Sequence, residues 1–382
     1  MGLIYLKESV DNAKRDWILS KLQDSSISWD WGVLSSNTNI TWDIVQAFSD
    51  KPWDWKKLSG NPSITWDIVQ ANRDKPWDWW YLSENTNITM DILEANPNKP
   101  WDWGNLSYND NIKWDFVQAN LDKPWYWNAL SFNKNITLDI IQANPEMPWD
   151  WEDVSYNDNI TWDIIRANPD KQWDWGSLSC DDIITCDIVQ ANPEMPWDWE
   201  NLSSNDNIKW DFVQANLDKP WYWGYLSCNP NITLDIVEAN PDMPWDWRKL
   251  SENPSITWDV VEANPDMPWD WSTLSEHPNI TMDIVQANPY EPWEYITLSK
   301  NPNITWEIVQ ANSDKPWSWY FLSQNSQVLS YPLAEIERIA WRFIAAWRIQ
   351  RAFKKAYSNP EYKICRNRLI REFTGMADDL NT

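Results

Sequence analysis

The sequence predicts an all-α fold, an elongated α-solenoid of about thirteen 24-residue, two-helix repeats with a C-terminal helical cap. Three observations predict it. The leading Trp of a W-D-W unit stands at Trp29, Trp53, Trp77 and onward to Trp317, every step 24 residues long. The chain has 36 Trp and 25 Pro but only 7 Gly in 382 residues. That is too few glycines for the turns of a β-helix, and the L-x-x-L-x-L strand of a leucine-rich repeat is missing. Each unit also reads as two short apolar-faced segments bounded by cap and turn residues.

Residues 1–27 precede the first unit and are expected to cap that end of the array. They open "MGLIYLKESVDNAKRD", without the basic start and long apolar core of a signal peptide. Leu6 stands where a myristoylation signal has Ser or Thr. No apolar run approaches the roughly 18 residues that cross a bilayer. The NIT triplets, such as Asn39-Ile40-Thr41, read as part of the repeat and not as glycosylation sites.

The repeats fill residues 28–330. In "NITWDIVQAFSDKPWDWKKLS", Asn39 to Ser59, Thr41 is placed to cap a first helix and Asp43 sits in its first turn, where the helix dipole favours a carboxylate. Ile40 and Val45 make a hydrophobic staple, and Ile44 and Ala47 extend the apolar side. In most units this helix stops at Asn-Pro, as at Asn96-Pro97. Asn there suits a left-handed C′ position, and Pro cannot continue the helix. A second helix is expected from "DKP", capped by Asp50 or Lys51 with Pro52 in its first turn. Trp55 and Leu58 share a face of it, and Ser59 with the following "GNP" ends it. Isolated helices under about 12–15 residues are marginal in water, so neighbouring units must supply the burial.

That requirement explains the tryptophans. A 24-residue unit has few core positions, and one Trp buries about 150–250 Å². The W-D-W columns therefore read as core packing. The other reading is an exposed ladder, with Trp53, Trp77, Trp101, Trp125 and Trp149 as the candidate stacking residues for sugars, bases or cations. Two Trp that lie two residues apart cannot both face inward on one helix, so one column should be only partly buried. A further Trp column alternates along the array at Trp66, Trp114, Trp162, Trp210, Trp258 and Trp306, joined by Trp42. Between them stand Met90, Leu138, Cys186, Leu234 and Met282. The segment at 109–127 returns at 205–223, an offset of 96 residues that marks a duplicated block of four units.

The residues argue for binding over catalysis. There is no Gly-rich phosphate loop, no Ser/His/Asp set and no zinc spacing, so no cofactor or metal is expected. His277, the single histidine, reads as a loop residue. Cys186 substitutes in the alternating column and reads as a buried apolar thiol. The four cysteines form no paired framework, as in a reduced, intracellular protein. Two acidic columns recur, one from Asp30, Asp54, Asp78 and Asp102, the other from Asp43, Asp67, Asp91 and Asp115. Both are read as sitting in helix first turns, where the dipole accounts for them, and not as ligands. The net charge of −26 repels nucleic acid and favours a protein partner with a basic surface.

Residues 331–382 differ. W-D-W disappears and the charge becomes net positive, with ten Lys and Arg against six Asp and Glu. A helix is expected over 333–357 and a shorter one over 360–373, together a cap on the last unit. The alternative is a basic helix for a membrane surface or a partner protein, with Arg342, Arg348, Arg351, Lys354 and Lys355 as its candidates.

Units of the form N-x-x-I-T-x-x-I-V-x-A-N-P-x-x-P-W-D-W-x-x-L-S resemble the tandem-repeat proteins encoded by giant DNA viruses of amoebae. So do the closing phrases at Ile349–Lys355 and Asn359–Leu369. The resemblance covers nearly the whole chain. It implies a viral protein of the infected-cell cytoplasm or the virion, and it brings no catalytic or binding residues with it. The sequence thus reads as a non-enzymatic scaffold for protein–protein interaction, with a glycan- or peptide-binding Trp ladder as the alternative.

Overall fold

A computed structural model describes residues 2–25, 27–332 and 338, with side chains from Lys7 onward. Among the described residues there are 26 helices and no strand, the all-α repeat array that the period predicts. The expected tail helices lie outside the described residues. The chain forms two compact units, one the repeats Trp29–Val328, the other taking in Met1–Ser28 and the chain from Leu329. In the latter, the helix Gly2–Leu22 buries Ile18 and Leu22, and the Trp17 ring meets Tyr331 edge-on at 6.0 Å.

The repeats are built from thirteen second helices and twelve first helices of four to six residues among the described residues, such as Trp55–Gly60 and Trp42–Ala47. The first helix begins where expected, after Thr41, but the Thr41 side chain accepts no cap hydrogen bond. In this column only Thr185 and Thr281 do so, from Ile188 and Ile284. The stop also differs from expectation. No described residue has positive φ, so the terminal Asn is not left-handed. Asn72 instead donates its side-chain amide to the Ile68 carbonyl at 2.8 Å, and its own carbonyl accepts the Trp77 indole N–H at 2.8 Å. A side-chain bond replaces the glycine-type terminus. Ala47, expected on the apolar side, is exposed, while Ile44 and Val45 are buried.

The second helix starts later than "DKP". Pro52 is the corner of a three-residue turn, in which the Trp53 N–H donates to the Lys51 carbonyl at 2.8 Å. The chain then stays extended through Asp54, which is the true N-cap: its carboxylate accepts from Lys56 and Lys57 N–H at 3.0 and 3.3 Å. The leading Trp therefore lies outside any helix. Its ring is sandwiched between units. Trp77 receives Trp55 edge-on at 5.3 Å and Trp42 at 5.6 Å.

Two polar columns tie the units together. Ser59 donates to the Trp55 carbonyl and accepts the Asp78 N–H of the next unit, both within 2.9 Å. Asn85 reaches back with its amide to the carbonyls of Ser59 and Asn61, at 2.9 and 3.2 Å. These groups are buried, and each is satisfied by main chain.

The same contacts close the array. Asp30 N–H donates to Ser323 at 3.1 Å, and Asn37 donates to the Ser323 carbonyl at 3.1 Å. Trp29 packs on Trp319 at 5.4 Å and on Trp306 at 5.8 Å. Every one of these pairs repeats an internal unit-to-unit contact across the join between the last and first units. The solenoid of 24-residue helix pairs stands, but the array closes on itself through its thirteen second helices and is not an open rod. The closest helix–helix approaches are all between consecutive second helices, including Trp31–Leu34 with Trp319–Gln324. In a ring, the element with the shortest neighbour spacing occupies the inner rim. The second helices therefore form the inner rim, and the first helices stand outside it.

Candidate functional site

The leading-Trp column is not the exposed ladder. Trp53, Trp77, Trp101 and Trp125 are each under 10% exposed, and Trp149 is half-buried. The reason is the turn at Pro52, which delivers the ring into the joint between units, where its N–H finds a carbonyl. The second Trp of each unit is the half-buried one, for example Trp55 and Trp79. Arg342, Arg348, Arg351, Lys354 and Lys355 lie outside the described residues.

The acidic columns separate by role. Asp54 and its equivalents are N-caps outside the helix, whereas Asp43 and its equivalents sit exposed in the first turn of the first helix. Among the described residues no group of His, Cys, Asp and Glu is arranged to hold a metal. Cys180 is exposed and Cys186 half-buried, so neither is the fully buried thiol expected. His277 does lie in the loop, as the extended C-cap residue after Trp271–Glu276, but it is buried there. It is 5% exposed and occupies the buried Asn column, with Nε2 donating to the Asn253 carbonyl at 3.2 Å and Nδ1 accepting the Asn279 N–H at 3.1 Å. Burial holds its pKa below the ordinary 6.5, against the opposing hydrogen bond to Asn253.

The feature that periodicity conceals is where the units differ. The first helix is close to constant, its Ala unchanged from Ala47 to Ala311. On the second helix the residue after the second Trp runs Gly32, Lys56, Trp80, Gly104, Asn128 and Glu152 in the first six units. The residue after the invariant Ser varies as widely, through Gly60, Glu84, Tyr108, Phe132 and Tyr156. These positions, one turn apart, share one face of each second helix. Large exposed side chains concentrate on these rim segments: Trp80, Tyr108, Tyr126, Tyr156, Tyr222, Tyr225, Ile296 and Tyr320. A comparison of the units with one another would have shown this face in the sequence.

The rim also has its own electrostatics. Tyr156 donates to Asp174 at 2.9 Å and Ser177 donates to the same carboxylate at 2.6 Å. Burial works against Asp174, but those bonds hold its pKa below the usual carboxylate range. Burial, then the adjacent charges of Asp150 and Glu152, raise Asp153. In Trp103–Leu106, the amide nitrogen of Asn105 is buried without a hydrogen-bond partner. Known protein families do not match this chain, and no curated protein is significantly similar to it.

Proposed function

We propose that the chain is a non-enzymatic scaffold that holds protein partners on the variable inner face of its ring. One observation carries the reading. A nearly invariant framework, including buried Ser, Asn and Trp columns, presents positions that change from unit to unit and keep large aromatic side chains exposed. A core position would lose stability by such variation, whereas a recognition face is specified by it. The non-enzymatic reading follows from the framework's repetition, since no unit gathers a nucleophile, base and orienting group. A ladder on Trp53 or Trp77 is disfavoured because those rings are buried.

The acidity of the chain favours partners with a basic surface. The resemblance to giant-virus repeat proteins supports a place of action in the infected amoebal cytoplasm or the virion as part of this proposal. Affinity capture from infected cells tests the reading, comparing the native ring with one whose rim positions carry the Ser and Gly found in other units. A specific partner should be lost with the rim substitutions, and its retention should fall as salt rises. Equal capture by both proteins would sink the proposal.

A further inference from the structure

Seven consecutive second helices, from Trp79–Glu84 through Trp223–Cys228, contain no Lys or Arg. The helices on either side do: Lys56 and Lys57 in Trp55–Gly60, Arg248 and Lys249 in Trp247–Glu252. Within this arc stand the exposed rings of Trp80, Tyr108, Tyr126, Tyr156, Tyr222 and Tyr225, from 36% to 55% exposed. Between them lie the carboxylates of Asp150, Glu152, Asp153, Asp174, Asp198 and Glu200. We propose that this arc seats an extended cationic polypeptide segment, its Arg or Lys side chains lying on the exposed rings between the carboxylates. The proposal rests on the protein-binding reading above and names the partner's chemistry.

Two features converge on that occupant. Aromatic faces attract guanidinium and ammonium groups, more strongly when flanked by carboxylates. The raised Asp153, crowded by Asp150 and Glu152, marks negative charge that a bound cation relieves. The Tyr126 ring lies over Gly104, where any side chain would collide with it. A nucleic acid strand would bring phosphates to a face without a cation, so a peptide is favoured over it. Packed helices stand about 8–10 Å apart and an extended chain rises about 3.3 Å per residue, so one unit matches about every third residue of the peptide.

The test is fluorescence anisotropy with the full chain and a labelled peptide repeating Arg-Gly-Ser. Two variants borrow residues that the repeat already carries. Tyr126→Asp with Tyr222→Asp restores the N-cap found at Asp54 and Asp78, and Tyr108→Ser with Tyr156→Ser copies Ser36 and Ser204. Both should fold at least as well as the native chain by urea denaturation. Affinity should fall roughly tenfold in each, although the first adds negative charge. Unchanged or tighter binding by the Tyr→Asp variant would show attraction by net charge alone and overturn the arc. Absence of native binding to the Arg peptide, with an infected-cell partner still released by rim substitution, overturns this inference and leaves the scaffold reading standing. Loss of neither peptide nor partner on rim substitution removes both.

Discussion

A buried side chain at one position reaches back from each unit to main-chain carbonyls of the unit before it, and the departures from Asn there have physical consequences. Asp181 replaces it once. Its carboxylate still accepts the Ile183 N–H at 2.9 Å, but it has no N–H to give the carbonyls that Asn157 or Asn205 reach in their own joints. Asp181→Asn should restore those bonds and stabilise the chain by about 1 kcal/mol. An unchanged urea midpoint would show that water already serves those carbonyls. His277 is the other departure. Its depressed pKa means that the folded chain holds the ring neutral, with Nδ1 as acceptor. Its contribution is therefore complete above the unfolded pKa of about 6.5 and declines as pH falls from there toward the folded value. His277→Asn should flatten that decline, so native and variant stability curves should diverge only below about pH 6.5. Parallel curves would refute the assignment. The buried Asn column was visible in the sequence as a recurring N, but its burial was not, because Asn-Pro and Asn-x-x-Ile look like turn chemistry until the preceding unit lies against them.

At the scale of the helix, the sequence reading placed the first helix well and the second one turn too early. The expected cap was Asp50 or Lys51 with Pro52 in the first turn, and the structure gives the cap to Asp54 with Trp55 first in the helix. The tertiary structure chose the latter because the Trp53 ring must leave the helix to fill the joint. Proline then has a different role, as a turn corner with φ preset near −65°. One unit has Gln172 there, and it alone among the internal units lacks the turn bond, which for Trp149 reaches Met147 at 2.8 Å. The Gln172 N–H makes no main-chain hydrogen bond, so Gln172→Pro loses nothing and restricts the unfolded chain. It should stabilise by about 0.4–1 kcal/mol. Destabilisation in thermal or urea unfolding would mean that the local backbone does not match its neighbours. The same delivery of the leading Trp explains why the candidate ladder was misassigned: periodicity identifies a column of rings but not which of two rings two residues apart is inserted.

For the whole ring, closure replaces the cap that an open array would need at its end. Trp319 and Ser323 of the last unit meet Trp29 and Asp30 of the first. The join between the last and first units is the one joint without a covalent link. Trp29→Ala should therefore open the ring, at a packing cost of about 3–5 kcal/mol, and expose apolar surface that self-associates. Small-angle scattering should show a larger radius of gyration, with association by light scattering. Trp173→Ala has the same local cost at a covalently linked joint and should leave the radius unchanged. Equal behaviour of the two variants would contradict closure. Among the twelve first helices of the described residues, Trp alternates with Met, Leu or Cys from Trp66 to Trp306, and the alternation breaks only where Trp42 and Trp66 follow one another.

The sequence by itself determined the unit, its two-helix content and the columns that pack it, because a strict 24-residue period and cap residues act locally. Ser59, Leu58 and Ile64 are as buried as their repetition implies. Tertiary structure alone decided that the array closes and that the variable positions lie on its inner rim. Both depend on a small wedge angle between units, which comes from indoles such as Trp42 and Trp77 holding first helices apart while Ser and Asn draw second helices together. That angle is a balance of packing across a joint, and a linear period carries no record of it.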